Sequence, residues 1–130
     1  VLATSNDSRV CARTMSIVSS GLKIYFQTDK NFLKYEQIQK NSNVAFAIKN
    51  FQYEGKAINL GHPLEKKNQF FIDLFKKKHL KSFEEYSHLK NEVLFEVKPK
   101  LITFWKYLEG KPFRDILKIE NKGAYREEYL

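Results

Sequence analysis

Three short runs of alternating character open the chain, Val1 to Ser5, Val10 to Val18 and Leu22 to Thr28, separated by Asn6-Asp7-Ser8 and Ser19-Ser20-Gly21. Turn-forming residues between period-two segments predict antiparallel strands joined by tight turns, so the chain has to bury one face of a β-meander. In the third run Leu22, Ile24 and Phe26 share one face and Lys23, Tyr25 and Gln27 the other, the pattern of a half-buried strand. Asn31 then stands as an N-cap, with Phe32, Tyr35, Ile38 and Gln39 at helical spacing until Asn41-Ser42-Asn43 ends the run.

The remainder continues the mixture. Val44 to Ile48 and Tyr53 to Leu60 read as two strands joined near Asn50, and Gly61-His62-Pro63 breaks the pattern. From Leu64 to about His79 the residues Phe70, Phe71, Leu74 and Phe75 recur at three- and four-residue steps, which predicts an amphipathic helix, with a second short helical piece over Ser82 to Leu89. Strand character returns in Val93 to Val97 and Leu101 to Tyr107, on either side of Pro99, whose missing N–H marks an edge or a bulge. Glu109 to Leu130 is polar and carries no clear periodicity. At least six strands with two inserted helices predict one mainly β domain over residues 1–130, an antiparallel barrel with helical additions. The register at Val1 reads like the middle of a strand, so a helix is expected to precede this segment in the natural chain.

Composition narrows the function classes. With 130 residues, 42% apolar and 15% aromatic, the chain can fill one core and is not a disordered tail. Cys11 is the single cysteine and cannot close an internal disulfide, which points to a cytoplasmic setting. No stretch approaches the roughly 18 apolar residues of a membrane span, and no signal-peptide pattern opens the sequence. The net charge of +8 fits an anionic ligand, a membrane surface or nucleic acid. Lys66-Lys67 and Lys76-Lys77-Lys78, however, sit beside Phe70, Phe71, Leu74 and Phe75 and read as a solvated helix face rather than a nucleic-acid stripe.

Catalytic constellations are scarce. His62, His79 and His88 are scattered without metal-ligand spacing and read as surface histidines, so no metal is expected. Cys11 has no nearby histidine and reads as a half-buried structural thiol. No phosphate-binding glycine loop is present. What remains is an anion-site arrangement: a strand ending Phe26-Gln27-Thr28, the loop Asp29-Lys30, and a helix whose first turn holds Lys34. Helix N-termini attract phosphate, and the Thr28 hydroxyl and Lys34 ammonium add donors. Spacing alone favours a solvated lysine at Lys34. Arg13 on the neighbouring strand is a second candidate for the same pocket, with pairing to a carboxylate or exposure to water as its alternatives.

A resemblance bears on these choices. Val1-Leu2-Ala3-Thr4-Ser5, Ala12-Arg13-Thr14-Met15-Ser16, Tyr25 to Ile38, Asn41-Ser42-Asn43-Val44 and Tyr53-Glu54-Gly55-Lys56-Ala57, in that order, resemble the pyridoxamine 5'-phosphate oxidase-like family of FMN-binding split β-barrels. The match runs over most of residues 1 to 107. It implies a homodimer with two FMN sites at the interface, each using both chains. Arg13 matches the arginine that reaches the FMN phosphate or ribityl chain, and Thr14, Met15 and Ser16 match the strand beside the flavin ring. Gln27 and Thr28 match the next strand near the ribityl and phosphate, and Lys34 matches the phosphate lysine. Lys56 falls where some members place a glutamine toward the flavin.

The sequence also departs from the family's namesake. Phe32 and Leu33 replace a Ser-Arg pair before the phosphate lysine, removing two phosphate donors, and Gly110 to Asp115 does not reproduce the namesake's C-terminal Trp and Arg substrate motif. Pyridoxamine phosphate oxidation is therefore not expected. Trp105 reads as core or interface packing. The implied activity is that of an FMN-dependent oxidoreductase on a small-molecule redox substrate, with no residue assigned as a catalytic acid or base. A non-catalytic flavin carrier or sensor and a basic nucleic-acid-binding barrel are the alternatives.

Overall fold

The computed structural model describes residues 1–128 and has strands β1 (Leu2–Asn6), β2 (Arg9–Arg13), β3 (Val18–Ser20), β4 (Lys23–Asp29), β5 (Asn43–Ile48), β6 (Phe51–Asn59), β7 (Glu92–Leu108), β8 (Lys111–Lys118) and β9 (Gly123–Glu128). Helix α1 (Leu33–Lys40) lies between β4 and β5, and α2 (Gln69–Lys78) and α3 (Leu80–Tyr86) lie between β6 and β7. One antiparallel sheet runs in the order β2-β1-β5-β6-β7-β4-β3, with β8 on β7 and β9 on β8. The mainly β architecture with inserted helices is the expected one.

The meander folds where its turns allow. Asp7 and Ser8 have φ of 49° and 66°, the left-handed pair of a two-residue hairpin, which sets Asn6 opposite Arg9. The second expected strand is shorter than its pattern. β2 ends at Arg13, residues 14–17 lie outside any strand, and Val18 begins β3 beside β4. A single alternating run thus serves two different neighbours, with a break between them.

The most consequential strand is β7. Sequence pattern divides it at Pro99, yet it is continuous for 17 residues. Its first part pairs with β4 from Glu92 to Val97, and its second part pairs with β8 from Leu101 to Leu108. β6 runs along its other side, with a register shift at Glu54/Gly55, where Gly55 faces Pro99. Pro99 has no N–H to give, so β4 leaves and β8 arrives around the residue that serves a ladder least well. The sheet splits there. A Cβ on Gly55 would stand 2.4 Å from the Lys98 carbonyl oxygen, so the backbones approach closely enough at the bulge to require glycine.

Two apolar clusters hold the sheet. Phe26, Phe46, Tyr53, Phe95, Val97 and Ile102 pack inside the barrel with Ile38 of α1. Tyr25, Leu94 and Val18 on the opposite side pack under Phe71, Ile72 and Phe75 of α2. β4 is therefore buried on both faces from Ile24 to Thr28, not half-buried as its alternation suggests. Burying a side chain of this size stabilises by about 1.5–3 kcal/mol, so the α2 face is as necessary to the fold as the barrel interior. The lysines of α2, Lys76, Lys77 and Lys78, are exposed opposite this face, as expected.

The polar C-terminal stretch is a hairpin. β8 and β9 are joined across strands by ion pairs: Arg126 reaches both oxygens of Asp115 at 2.6 and 3.0 Å, Lys106 of β7 reaches Asp115 at 2.7 Å, and Arg114 pairs with Glu127. These pairs hold the Asp115 carboxyl far below the usual carboxylate range. Among the described residues, no helix is long and apolar enough to cross a membrane.

Candidate functional site

The break after β2 opens a space. Thr14, Met15 and Ser16 from that break, Gln27, Thr28 and Asp29 from the end of β4, and Phe32 and Lys34 from the start of α1 line a cavity of about 350 Å³, together with Phe75, Ser82, Tyr86, Leu89 and Glu92. Six of the residues singled out in the sequence, Thr14, Met15, Ser16, Gln27, Thr28 and Lys34, therefore meet in one place. The volume lies within the range of small-molecule sites.

Local structure at the helix start differs from expectation. Asn31 is not the cap: its N–H bonds to Asp29 Oδ1 at 2.7 Å, so Asp29 organises the turn and the helix begins at Leu33. Phe32 occupies the N-cap position with extended backbone and makes no side-chain cap bond. The Tyr35 and Glu36 N–H groups bond to the Phe32 carbonyl, so the N–H groups of Leu33 and Lys34 and the positive end of the dipole remain for another partner. Lys34 is half-buried, with Nζ 4.7 Å from the centre of the Phe32 ring, and takes part in no ion pair among the described residues. Burial and the positive charge of Arg13 pull its ammonium below its ordinary value.

The deep side of the cavity is polar. Ser87 donates to Gln27 Oε1 at 2.8 Å, and the Gln27 amide donates to Glu92 Oε1 at 3.3 Å. These bonds leave Glu92 Oε2 buried without a partner, and the buried Thr28 Oγ1 also has none. A buried polar atom without a partner costs about 1–3 kcal/mol, so two residues that line this cavity each carry an unsatisfied polar atom. Burial pushes the Glu92 carboxyl up to about 7, aided by the charge of Asp29 and opposed by Lys34 and the Gln27 bond. Sequence reasoning passed over Glu92, Ser87 and Tyr86. The one sequence signal was an acidic residue heading an apolar strand, Glu92 before Val93-Leu94-Phe95.

Two other candidates lie elsewhere. Arg13 Nη1 donates to Thr4 Oγ1 at 2.8 Å and to the Leu2 carbonyl at 3.4 Å, so its guanidinium turns toward β1 and is not on the cavity lining. Thr4 passes the bond on to Gln37 of α1. Lys56 is exposed on β6, in register with Asn43 and Lys98, and is not on this lining.

Of the histidines, His88 is exposed as expected, while His62 and His79 are half-buried and hydrogen-bonded. His62 accepts the Leu64 N–H at Nδ1 and bonds the Leu89 carbonyl through Nε2 at 2.9 Å, so both ring nitrogens brace a loop. His79 Nε2 bonds the Ile17 carbonyl at 2.9 Å, tying the α2–α3 junction to the segment before β3. No group of three or more metal-ligating side chains occurs among the described residues.

A phosphate-bearing group suits what is present: a half-buried lysine, a helix start without a side-chain cap and a buried hydroxyl lacking a partner. Phe32, Tyr86 and Leu89 are 55%, 49% and 39% exposed and make the open rim apolar, which suits a flat ring outside the polar floor.

No family model and no curated protein matches the sequence. Solved structures do. The pyridoxamine 5'-phosphate oxidase-related, FMN binding protein of Nostoc punctiforme is similar at a TM-score of 0.62 and 14% identity, over 99% of this chain and 86% of that one. PhzG of Burkholderia lata, solved with tetrahydrophenazine-1-carboxylic acid, is similar at 0.67 and 12%, over 98% and 79%. HutZ, the heme storage protein of Vibrio cholerae, is similar at 0.63 and 12%, over 75% and 78%. At such identities the likeness concerns architecture, and this chain has the split β-barrel fold of the pyridoxamine 5'-phosphate oxidase-related proteins.

Proposed function

We propose that the chain is a cytoplasmic, homodimeric flavoprotein domain that binds FMN in this cavity and serves as an oxidoreductase toward a small redox substrate. The observation that carries the reading is the meeting of Lys34 with the partnerless Thr28 hydroxyl in one cavity, on a fold shared with an FMN binding protein. Lys34 and the start of α1 hold the phosphate, and Thr28 and Gln27 flank it. Arg13, whose charge already acts on Lys34, adds attraction from behind the site without a direct contact. Thr14, Met15 and Ser16 lie along the flavin's course. When bound, FMN supplies the electron transfer, while the chain orients the ring and keeps one face open.

The apolar rim leaves a flavin ring half covered by one chain, which is why a second copy is part of the proposal; Lys56 is placed on the surface such a copy covers. The relative described as a heme storage protein raises a second ligand class. The cavity lining contains no histidine or cysteine, and His62 and His79 hold backbone carbonyls, so the observations favour the flavin.

The deciding experiment adds FMN or riboflavin to the purified protein and records the visible spectrum, with chromatography of the released chromophore. Tighter binding of FMN is expected, and equal affinity for the two overturns the phosphate assignment. Turnover with a reduced nicotinamide separates an enzyme from a carrier. Salt-sensitive binding of single-stranded nucleic acid without flavin would replace both. Sedimentation is expected to give a dimer.

A further inference from the structure

A carboxylate in a phosphate pocket is a contradiction unless it does something. Glu92 is 6% exposed, its Oε1 is fixed by Gln27, its Oε2 is partnerless, and the residue lines the same cavity as Lys34. Gln27 cannot rotate its amide to relieve Glu92, because Ser87 holds the other end. The only polar atom of Glu92 left to act is the one without a partner. As a carboxylate, Oε2 repels an anion brought to Lys34; as a carboxylic acid, it offers that anion, or a hydroxyl beside it, a hydrogen bond.

We infer that Glu92 is a proton-binding specificity residue of this cavity: when Lys34 takes an anionic group, Glu92 Oε2 takes one proton from solvent and donates it in a hydrogen bond to the ligand. This rests on the reading of the cavity as a phosphate site and adds to it that binding is coupled to proton uptake. The charged surroundings support it. Asp29 at the end of β4 opposes ionisation of Glu92, and Lys34 on α1 is the cation that favours it. Lys30, His62, Glu65 and Lys90 stand around a separate cavity on its other side, and none of them makes a hydrogen bond or ion pair with Glu92 among the described residues. With its carboxyl already at about 7, Glu92 needs little further push to be protonated at neutral pH. A ligand phosphate would draw on Lys34, which together with the Gln27 bond favours the ionised form of Glu92. Gln at this position imitates the acid form, since its carbonyl can still accept from Gln27 while its amide donates into the cavity.

The test is calorimetric titration of FMN into the parent and into Glu92→Gln, in two buffers of different ionisation enthalpy, at about pH 8, where the phosphate is already doubly charged. The parent is expected to take up close to one proton per FMN, with affinity falling up to about tenfold per pH unit above neutrality. Glu92→Gln is expected to take up none, to bind FMN at least as tightly as the parent at pH 8, and to lose the pH dependence. Glu92 raises the Lys34 pKa, so its loss pulls the Lys34 ammonium lower, and any proton uptake by Lys34 is larger in the variant and works against the expected difference. FMN binding by the parent without proton uptake overturns the inference, whether or not the variant folds, and leaves the phosphate site standing. Equal uptake by parent and variant also overturns it. Failure of the parent to bind FMN at any pH overturns the phosphate reading and the inference with it.

Discussion

Arg13 donates to Thr4 Oγ1 across 2.8 Å, and Thr4 donates onward to Gln37 Oε1 at 2.5 Å, so a strand arginine is tied to helix α1 through one buried hydroxyl. Arg13→Ala removes a charge-assisted bond without leaving Thr4 wholly unpartnered. A stability loss of about 1–2 kcal/mol is expected from urea unfolding. FMN and riboflavin affinities should fall by similar, small factors. A loss confined to FMN and as large as that of a Lys34 variant would place Arg13 in contact with the phosphate.

Lys34→Ala should behave in the opposite way. Its ammonium joins no ion pair among the described residues, so stability should change by less than about 0.5 kcal/mol. A charge-assisted bond to phosphate is worth roughly 1.5–3 kcal/mol, giving an FMN affinity about 10- to 150-fold weaker. Riboflavin should bind parent and variant alike. An FMN dissociation constant within about twofold of the parent's rejects the assignment.

At Gly55 the prediction concerns the fold alone. The added methyl of Gly55→Ala would meet the Lys98 carbonyl at 2.4 Å and Val97 Cγ1 at 2.8 Å, and neither is the end of a flexible side chain. The bulge has to open, at about 1–3 kcal/mol. Thermal unfolding should show the melting temperature several degrees lower, and an unchanged value would mean that β6 can slide.

Glu92 gives the flavin-free protein a pH signature. A glutamate with an ordinary value of 4.5 in the unfolded chain stands at about 7 in the fold, so the folded state holds the proton more tightly. Its contribution to stability is complete below about pH 4.5 and is lost as pH rises through about 7. Glu92→Gln should match the parent near pH 4.5 and exceed it at pH 8, by on the order of 1–2 kcal/mol because solvent in the cavity screens part of the effect. Denaturation across this range checks the sign; a variant less stable than its parent at pH 8 contradicts it.

Sequence pattern reached the strands that bury one face and faltered where burial is two-sided or absent. β4 looked half-buried because Tyr25 and Gln27 are amphipathic, and what meets them, α2 at Tyr25 and Ser87 and Glu92 at Gln27, is distant in sequence. β8 and β9 escaped notice because cross-strand ion pairs, not alternating apolar residues, mark them, and charge pairs in two strands carry no period. Pro99 was rightly placed at an irregularity, but the strand continues through it because a bulge absorbs the missing donor. That Lys34 and Thr28 line one cavity was legible through the strand–loop–helix order, and that Thr14 to Ser16 join them only through the family resemblance. Glu92 was not, because only the pairing of β7 with β4 brings residue 92 beside residues 27 and 28.

The handover at Pro99 also bears on solubility. From Leu101 to Leu108, β7 presents Leu-Ile-Thr-Phe-Trp-Lys-Tyr-Leu, an apolar, β-prone segment whose backbone donors and acceptors on one side are met by β8. Without the hairpin those groups would form an open template for other chains. β9, on the outside of β8, carries Arg126, Glu127 and Glu128 instead. Charged outer strands discourage edge-to-edge stacking, so the polar hairpin acts as a guard over the stickiest segment of the chain.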